Sequence, residues 1–291
     1  MTDPTPRLEV LPSDLSAYRE GNVGIDYVHR FESGWGGPHV LINALTHGNE
    51  FCGMVATTHL LDSAARPLRS TLTVSFADVE AYESFDAARR FESRQLMRNM
   101  NRVWSDEWLC GSEDSPELPR ACALRPVVAA AVHILDVHST AQDVQPFRVY
   151  PDFERNGRVV TATGRPAVHM VMPKCLGSGT PLMQHGLHGT AAGPGAPMVV
   201  DCGAHFSRAT SELAVEVTLD FLALFGLIAP RGPAPEARPQ QRFELLQPEV
   251  VKTPGFRFVR PLIGFETFAR GELSPPTALT RSVRPATTAP C

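Results

Sequence analysis

Three short apolar runs, each ending in an ionisable side chain, constrain this chain more than any other feature. Residues 39–45 run mostly apolar into His47-Gly48-Asn49-Glu50. Residues 132–137 run into His138-Ser139-Thr140, and Pro197-Met198-Val199-Val200 runs into Asp201. Runs of this length and composition read as buried strands. Helical spacing follows the first over 51–64, precedes the second over 119–131 and follows the third over 213–228. Strands alternating with helices predict an α/β sheet covered on both faces. In such sheets ligands bind beyond the carboxyl ends of the strands. The alternation therefore predicts that His47, Glu50, His138 and Asp201 gather at one edge.

Other segments fill in this frame. Strands are expected at 25–31, 68–76 and 167–172. Residues 78–108 are polar and arginine-rich (Arg89, Arg90, Arg94, Arg98, Arg102), which reads as a solvated loop or helix. Residues 141–164 read as mixed and exposed. The glycine-rich stretch around His185 and His188 lacks a phosphate-loop arrangement and reads as a flap over a cleft. Its two histidines, three apart, are a weaker metal pair. The domain expectation is an α/β domain over 1–229, a proline-rich linker over 230–242, a partial small β domain over 243–273 and a disordered tail over 274–291.

Imidazole and carboxylate are both zinc ligands, and a catalytic zinc typically takes three protein ligands and keeps one position for water. A His and a Glu three apart at a strand-to-helix junction suit that chemistry. An ordinary loop whose glutamate sits at a helix N-terminus looks the same. The second histidine at a second strand tip, His138, turns the motif into a candidate site. Asp136 lies two residues before His138 and so points to the same side of its strand. It is placed either to support His138 or to meet a helix partner.

Composition narrows the classes. At 43% hydrophobic and 20% charged the chain can bury a sizeable core, and a net charge of -4 gives no electrostatic case for nucleic acid. Six scattered cysteines without a CxxC pair argue against a cysteine-rich zinc site and a disulfide scaffold. The first residues lack a secretory pattern, and the apolar run near 221–229 is too short to span a bilayer. A cytoplasmic protein with reduced thiols is expected. The partner expectations are a small-molecule substrate, no nucleic acid and no membrane, with a homo-oligomer left open.

Four pieces together resemble the succinylglutamate desuccinylase and aspartoacylase family, a branch of the zinc carboxypeptidase superfamily. They are His47-Gly48-Asn49-Glu50, Arg94 followed by Asn101-Arg102-Val103-Trp104, Asp136-Val137-His138-Ser139-Thr140, and the strand ending Asp201-Cys202-Gly203. Their order and spacing agree from about residue 20 to 272. The resemblance implies a zinc-carboxypeptidase-like mixed β-sheet flanked by helices, with a small C-terminal β appendage. It implies one zinc held by His47, Glu50 and His138. Arg94 would polarise the scissile carbonyl, Asn101 and Arg102 would hold a substrate carboxylate, and Asp201 would move the proton. The implied reaction is hydrolysis of the amide of an N-acyl amino acid or a similar small carboxylated amide. Two other readings stand beside it: a zinc carboxypeptidase acting on peptides, and a zinc-binding protein with weak turnover.

Three departures bear on that expectation. The family usually has glutamate where this chain has Asp201, one methylene (~1.5 Å) shorter, and a ~1 Å misplacement can cost about 10²-fold in rate. Asn99 stands where an acidic residue is common, which weakens the expected support of Arg102. The strand-like pattern stops near Leu273, before the family's small β-domain would be complete.

Overall fold

The computed structural model describes residues 7–63, 66–172, 179–230, 239–246 and 263–267. Eight strands form one sheet: β1 (Val28–Glu32), β2 (Val40–Ala44), β3 (Thr71–Phe76), β4 (His133–Thr140), β5 (Phe147–Pro151), β6 (Val168–Met172), β7 (Pro197–Ala204) and β8 (Gln241–Glu244). Their spatial order is β1-β3-β2-β4-β7-β5-β6-β8. The pairings β1–β3 and β5–β7 are antiparallel and the rest are parallel, so the sheet is mixed.

Helices cover both faces: α1 (Phe51–Asp62), α2 (Val79–Glu83), α3 (Asp106–Leu109), α4 (Glu117–Ala130), α5 (Glu154–Thr163) and α6 (Arg208–Leu224). Alternation along the strands sorts the core into layers. Val40, Ile42, Leu135, Val137, Met198 and Val200 pack with α1 and α6, through Cys52, Ala56, Leu60, Ala214, Val217 and Phe221. Leu41 and Ile134 pack on the other side with α4, through Leu118, Leu124, Val127 and Val128. All five residues of β2 are buried, as a strand covered on both faces must be. Gly53 lets α1 lie close, because a Cβ there would come within 2.9 Å of both the Ala44 Cβ and the Val137 carbonyl oxygen.

Several sequence expectations are corrected here. Residues 141–164 are not an exposed mixed segment: they supply β5, an interior strand, and α5. The stretch around His185 and His188 is a pair of short 3-10 turns, not a flap. Both histidines are buried; His185 Nδ1 lies 2.9 Å from the Trp104 carbonyl and His188 Nε2 lies 3.0 Å from the Val128 carbonyl. They tie this segment to the chain around Trp104 and to α4, away from the strand tips. Residues 241–244, which the domain expectation divides between linker and appendage, form β8 along β6 in the main sheet. Phe265 packs against Phe147 and Phe243, with ring centres 4.9 and 5.0 Å away. The tail at 274–291, and most of the linker and of the 243–273 appendage, lie outside the described residues. Among the described residues no helix is long and apolar enough to cross a membrane.

Candidate metal centre

The parallel register of the sheet builds the centre. Asn43 on β2 pairs with Asp136 on β4, and His138 on β4 pairs with Asp201 on β7. Ile134, Asp136 and His138 share one strand face. Past the end of β2, the chain turns through His47 and Glu50 into α1; Glu50 stands at the N-cap position, and its side chain makes no capping bond to the helix. Gly48 is required at this turn, because a Cβ there would come within 2.5 Å of the backbone of Ala81, Tyr82 and Ser93. The Gly48 amide also donates to the Arg94 carbonyl at 3.2 Å.

His47, Glu50 and His138 converge, with one potential ligand atom from each lying within 4.8 Å of the others. His47 Nδ1 is 2.8 Å from Glu50 Oε1, and His138 Nδ1 is 2.8 Å from Glu50 Oε2. All three residues are buried. Two imidazole nitrogens and a carboxylate facing one point are a donor set that fits zinc. His138 is held from behind, with its Nε2 2.8 Å from Asp136 Oδ2. Asp136 is fully buried, and its Oδ1 accepts from Asn43 Nδ2 at 2.7 Å and Thr46 Oγ1 at 2.8 Å. Ser75 Oγ donates to Asn43 Oδ1 at 2.6 Å and extends the chain of bonds to β3. A carboxylate behind a histidine fixes the ring and its tautomer.

Electrostatics separate the two histidines. Burial works against protonation of His138, but Asp136 and Glu50 outweigh it and hold the ring well above the usual imidazole range. Burial keeps His47 below that range. Burial also opposes the charge on Glu50, yet His47 and His138 hold its carboxyl well below the usual value.

Asp201 is half-buried on the strand beside His138. Burial pushes its carboxyl up to about 7; Glu50 and Asp136 add to that, while His138 and Arg94 pull it down. It is thus placed beside the cluster, and among the described residues no hydrogen bond or ion pair joins it to a ligand atom.

The arginine-rich segment is a solvated face only in part: Arg89 is exposed, but Ser93, Met100, Asn101, Val103 and Trp104 are buried. Arg94 reaches the cluster, with Nη1 3.2 Å from Glu50 Oε1 and Nη2 3.0 Å from His47 Nε2. Asn99 meets the same ring, with Oδ1 3.0 Å from His47 Nε2, and also caps the 3-10 turn Met100–Arg102. The Asn99 side chain thus meets His47, while its carbonyl accepts from the Arg102 amide at 2.9 Å. Asn101 is buried, and its Oδ1 accepts from the Leu182 amide at 2.9 Å. Arg102 lines a cavity of about 510 Å³ with Met97, Arg98, Asn99, Val103 and Trp108. Burial, and then the charge of Arg94, hold its guanidinium below the ordinary value.

One neighbour was not anticipated. His205, just past β7, is buried with Nδ1 2.7 Å from Ser139 Oγ, next to His138 in the chain. Burial lowers it to about 4. Its strand-tip position is the one signal in the sequence that marks it.

A mixed α/β sheet carrying a His–Glu–His donor cluster at its carboxyl edge defines the class. Residues 36–168 match the model described as Succinylglutamate desuccinylase/Aspartoacylase catalytic domain. The matched segment includes His47, Glu50, Arg94, Asn101, Arg102 and His138, whereas Asp201 lies beyond it. Solved structures with the same fold include succinylglutamate desuccinylase from Vibrio cholerae, at 15% identity and a TM-score of 0.64 over 86% of this chain and 76% of that one. The corresponding enzyme from Chromobacterium violaceum shares 15% identity, with a TM-score of 0.57 over 76% and 74%. The product-bound ectoine utilization protein EutE (DoeB) from Ruegeria pomeroyi shares 15%, with a TM-score of 0.56 over 76% and 66%. A comparison with curated proteins finds no match.

Proposed function

We propose that this chain is a zinc-dependent deacylase that hydrolyses the amide bond of an N-acyl amino acid or a similar small carboxylated amide. The observation that carries the reading is one convergence: His47, Glu50 and His138 face one point, with Asp201 on the adjacent register position and Arg94 Nη1 3.2 Å from Glu50. His47 and His138 through Nδ1, and Glu50 through its carboxylate, would hold one zinc. When bound, zinc supplies Lewis-acid activation of water and of the amide carbonyl.

The chain's own residues do the rest. Asp201 takes a proton from the attacking water and returns it to the leaving amine; a carboxyl near 7 suits both transfers. Arg94 places a guanidinium where the amide oxygen gains charge, so it stabilises the developing oxyanion. Arg102 lies in the wall of the neighbouring cavity, where a guanidinium pairs with a substrate carboxylate through two hydrogen bonds. Asn101 contributes its Nδ2 to the same end of the substrate. A substrate held at both ends presents its amide to the metal side in one orientation.

The test is metal analysis joined to a panel of N-acyl amino acids and C-terminal peptides. About one zinc per chain is expected, with turnover of at least one N-acyl amino acid. His138→Ala should lose most of the zinc while staying folded. Full zinc retention in that variant overturns the metal assignment. Zinc without turnover of any amide favours a zinc-binding protein, for which Asp201 in place of glutamate is the specific motive.

A further inference from the structure

Residues 95–99 lie between two 3-10 turns, Glu92–Arg94 and Met100–Arg102, with no strand or helix of their own. The backbone is extended at Gln95 and Asn99. Their amides would have nowhere to go but water, and three of them go to one atom. Glu117 Oε1 accepts from the amides of Leu96 at 2.9 Å, Met97 at 2.7 Å and Arg98 at 3.0 Å. Its Oε2 accepts from Ser115 Oγ at 2.8 Å. Glu117 is only 1% exposed and opens α4, where the helix N-terminus also favours a negative charge. Successive backbone N–H groups of this kind form an anion-binding concavity; here the chain fills it with its own carboxylate.

The segment so held carries Arg94 on one side, and Asn99, Asn101 and Arg102 on the other. Arg94 and Arg102 are like charges, and the charge of Arg94 disfavours that of Arg102. We propose that Glu117 is the positioning residue of this arginine loop: its carboxylate fixes the bend at Leu96–Arg98 and so keeps Arg94 on the metal-ligand cluster and Arg102 in the wall of the neighbouring cavity. Arg98 reinforces the bend from the outside, stacked 4.5 Å over Trp108 and paired with Glu113 at 2.7 Å. Glu117 touches neither cluster nor cavity and acts through the backbone alone.

Loss of the anchor has a particular consequence. Leu96 is 39% exposed and Met97 60%, so water can reach the freed amides. The cost falls on the order of the loop, with the core left in place.

The functional half of this inference rests on the deacylase reading, whereas the structural half does not, and the experiment separates them. Zinc-loaded wild type, Glu117→Ala and Glu117→Gln are compared by amide hydrogen exchange over 95–99, zinc content, and kinetics on an N-acyl amino acid and its carboxamide. In Glu117→Ala, exchange at Leu96, Met97 and Arg98 should rise at least about 10-fold, since three charge-assisted bonds are lost. Glu117→Gln keeps an acceptor oxygen and should fall between, and it decides the matter if the alanine variant does not fold. Zinc content should stay at the wild-type level. KM for the carboxylated amide should rise about 10-fold, and its preference over the carboxamide should shrink. Unchanged exchange in both variants overturns the anchor. Raised exchange with wild-type KM and preference overturns its positioning role and leaves a structural one. A wild type inactive on every amide refutes the deacylase reading, and the exchange arm still judges Glu117.

Discussion

His47, Glu50, His138 and Asp201 stand on strands or one turn past them, where the register of a buried sheet sets their spacing. Arg94, Asn99, Asn101 and Arg102 stand on a loop with two three-residue turns as its regular structure. The first group inherits its geometry from a sheet that cannot shift without exposing its core. The second is assembled from separate pins: Gly48 on Arg94, Glu117 on 96–98, Leu182 on Asn101, and Thr180 bridging Val103. A site can thus join a wall that is rigid through packing to one that is rigid through a few polar bonds. Substitutions in the first wall should be felt as chemistry or metal loss. Those in the second should be felt as substrate selection, except at Arg94, whose guanidinium meets the metal ligands.

Asp201 offers the largest effect, and it belongs to the sheet wall. Asp201→Asn should lower kcat by 10²–10⁴-fold, the range for a general acid/base, and leave zinc in place. Asp201→Glu should keep or raise activity, because the longer side chain restores the family's reach. An asparagine variant with wild-type kcat would show that this carboxylate does not move the proton. On the loop wall, Arg102→Ala should cut kcat/KM for a carboxylated amide by roughly 30-fold or more, from a lost ion pair of about 2–5 kcal/mol. The same variant should change turnover of the uncharged amide little. If esterifying the substrate carboxylate leaves wild-type kcat/KM unchanged, the anion is bound elsewhere.

A smaller effect tests how the sheet wall supports its metal ligand. Asp136 bonds His138 and is itself bonded by Asn43 and Thr46. Asp136→Asn keeps the shape and removes the charge, so zinc affinity should fall about 10–100-fold. Competition with a chelator measures it, and unchanged affinity would reduce Asp136 to a packing residue.

How much of this was legible in the sequence follows the same division. Buried strands write themselves as apolar runs, so the tips carrying His47, His138 and Asp201 could be read directly. The interior strand β5 could not, because Arg148 lies in it. That guanidinium is buried, bonded to the Val160 and Arg165 carbonyls, and pushed down to about 10 by burial. A charge in a short segment ordinarily marks a surface, and here it marked a satisfied interior. The helix after it was hidden by Asn156 and Gly157; Asn156 is buried, and its Nδ2 donates to the Pro197 carbonyl at 2.6 Å. The arginine loop misled for the opposite reason. Its charges are real, but Ser93, Met100, Val103 and Trp104 between them are buried, and no periodicity announces that. Its anchor, Glu117, lies about twenty residues away, and nothing local connects the two.

The junction between the two walls gives the smallest prediction. Asp78 follows β3, caps α2 through the Ala81 amide at 3.2 Å and begins the loop segment. It is 3% exposed, and its Oδ2 has no hydrogen-bond partner among the described residues. Burial, with Glu117 and Glu80 adding, pushes its carboxyl up to about 7 from an ordinary 3.8, against the pull of the Ala81 amide and Arg120. A folded state that holds its proton more tightly than the unfolded one is favoured at low pH. The contribution of Asp78 is therefore fully present below about pH 4, declines as pH rises from there to about 7, and is gone above it. Asp78→Asn keeps the capping oxygen and supplies a donor where the proton was. The variant should be more stable than wild type at pH 8 by on the order of 1–3 kcal/mol, a few degrees in Tm, and closer to it at pH 5. Asp78→Ala should lose part of that gain with the cap, about 1 kcal/mol. A pH-independent gap between Asp78→Asn and wild type would mean that the carboxyl titrates normally. The junction would then be held by the cap alone, and the two walls would meet without a buried acid between them.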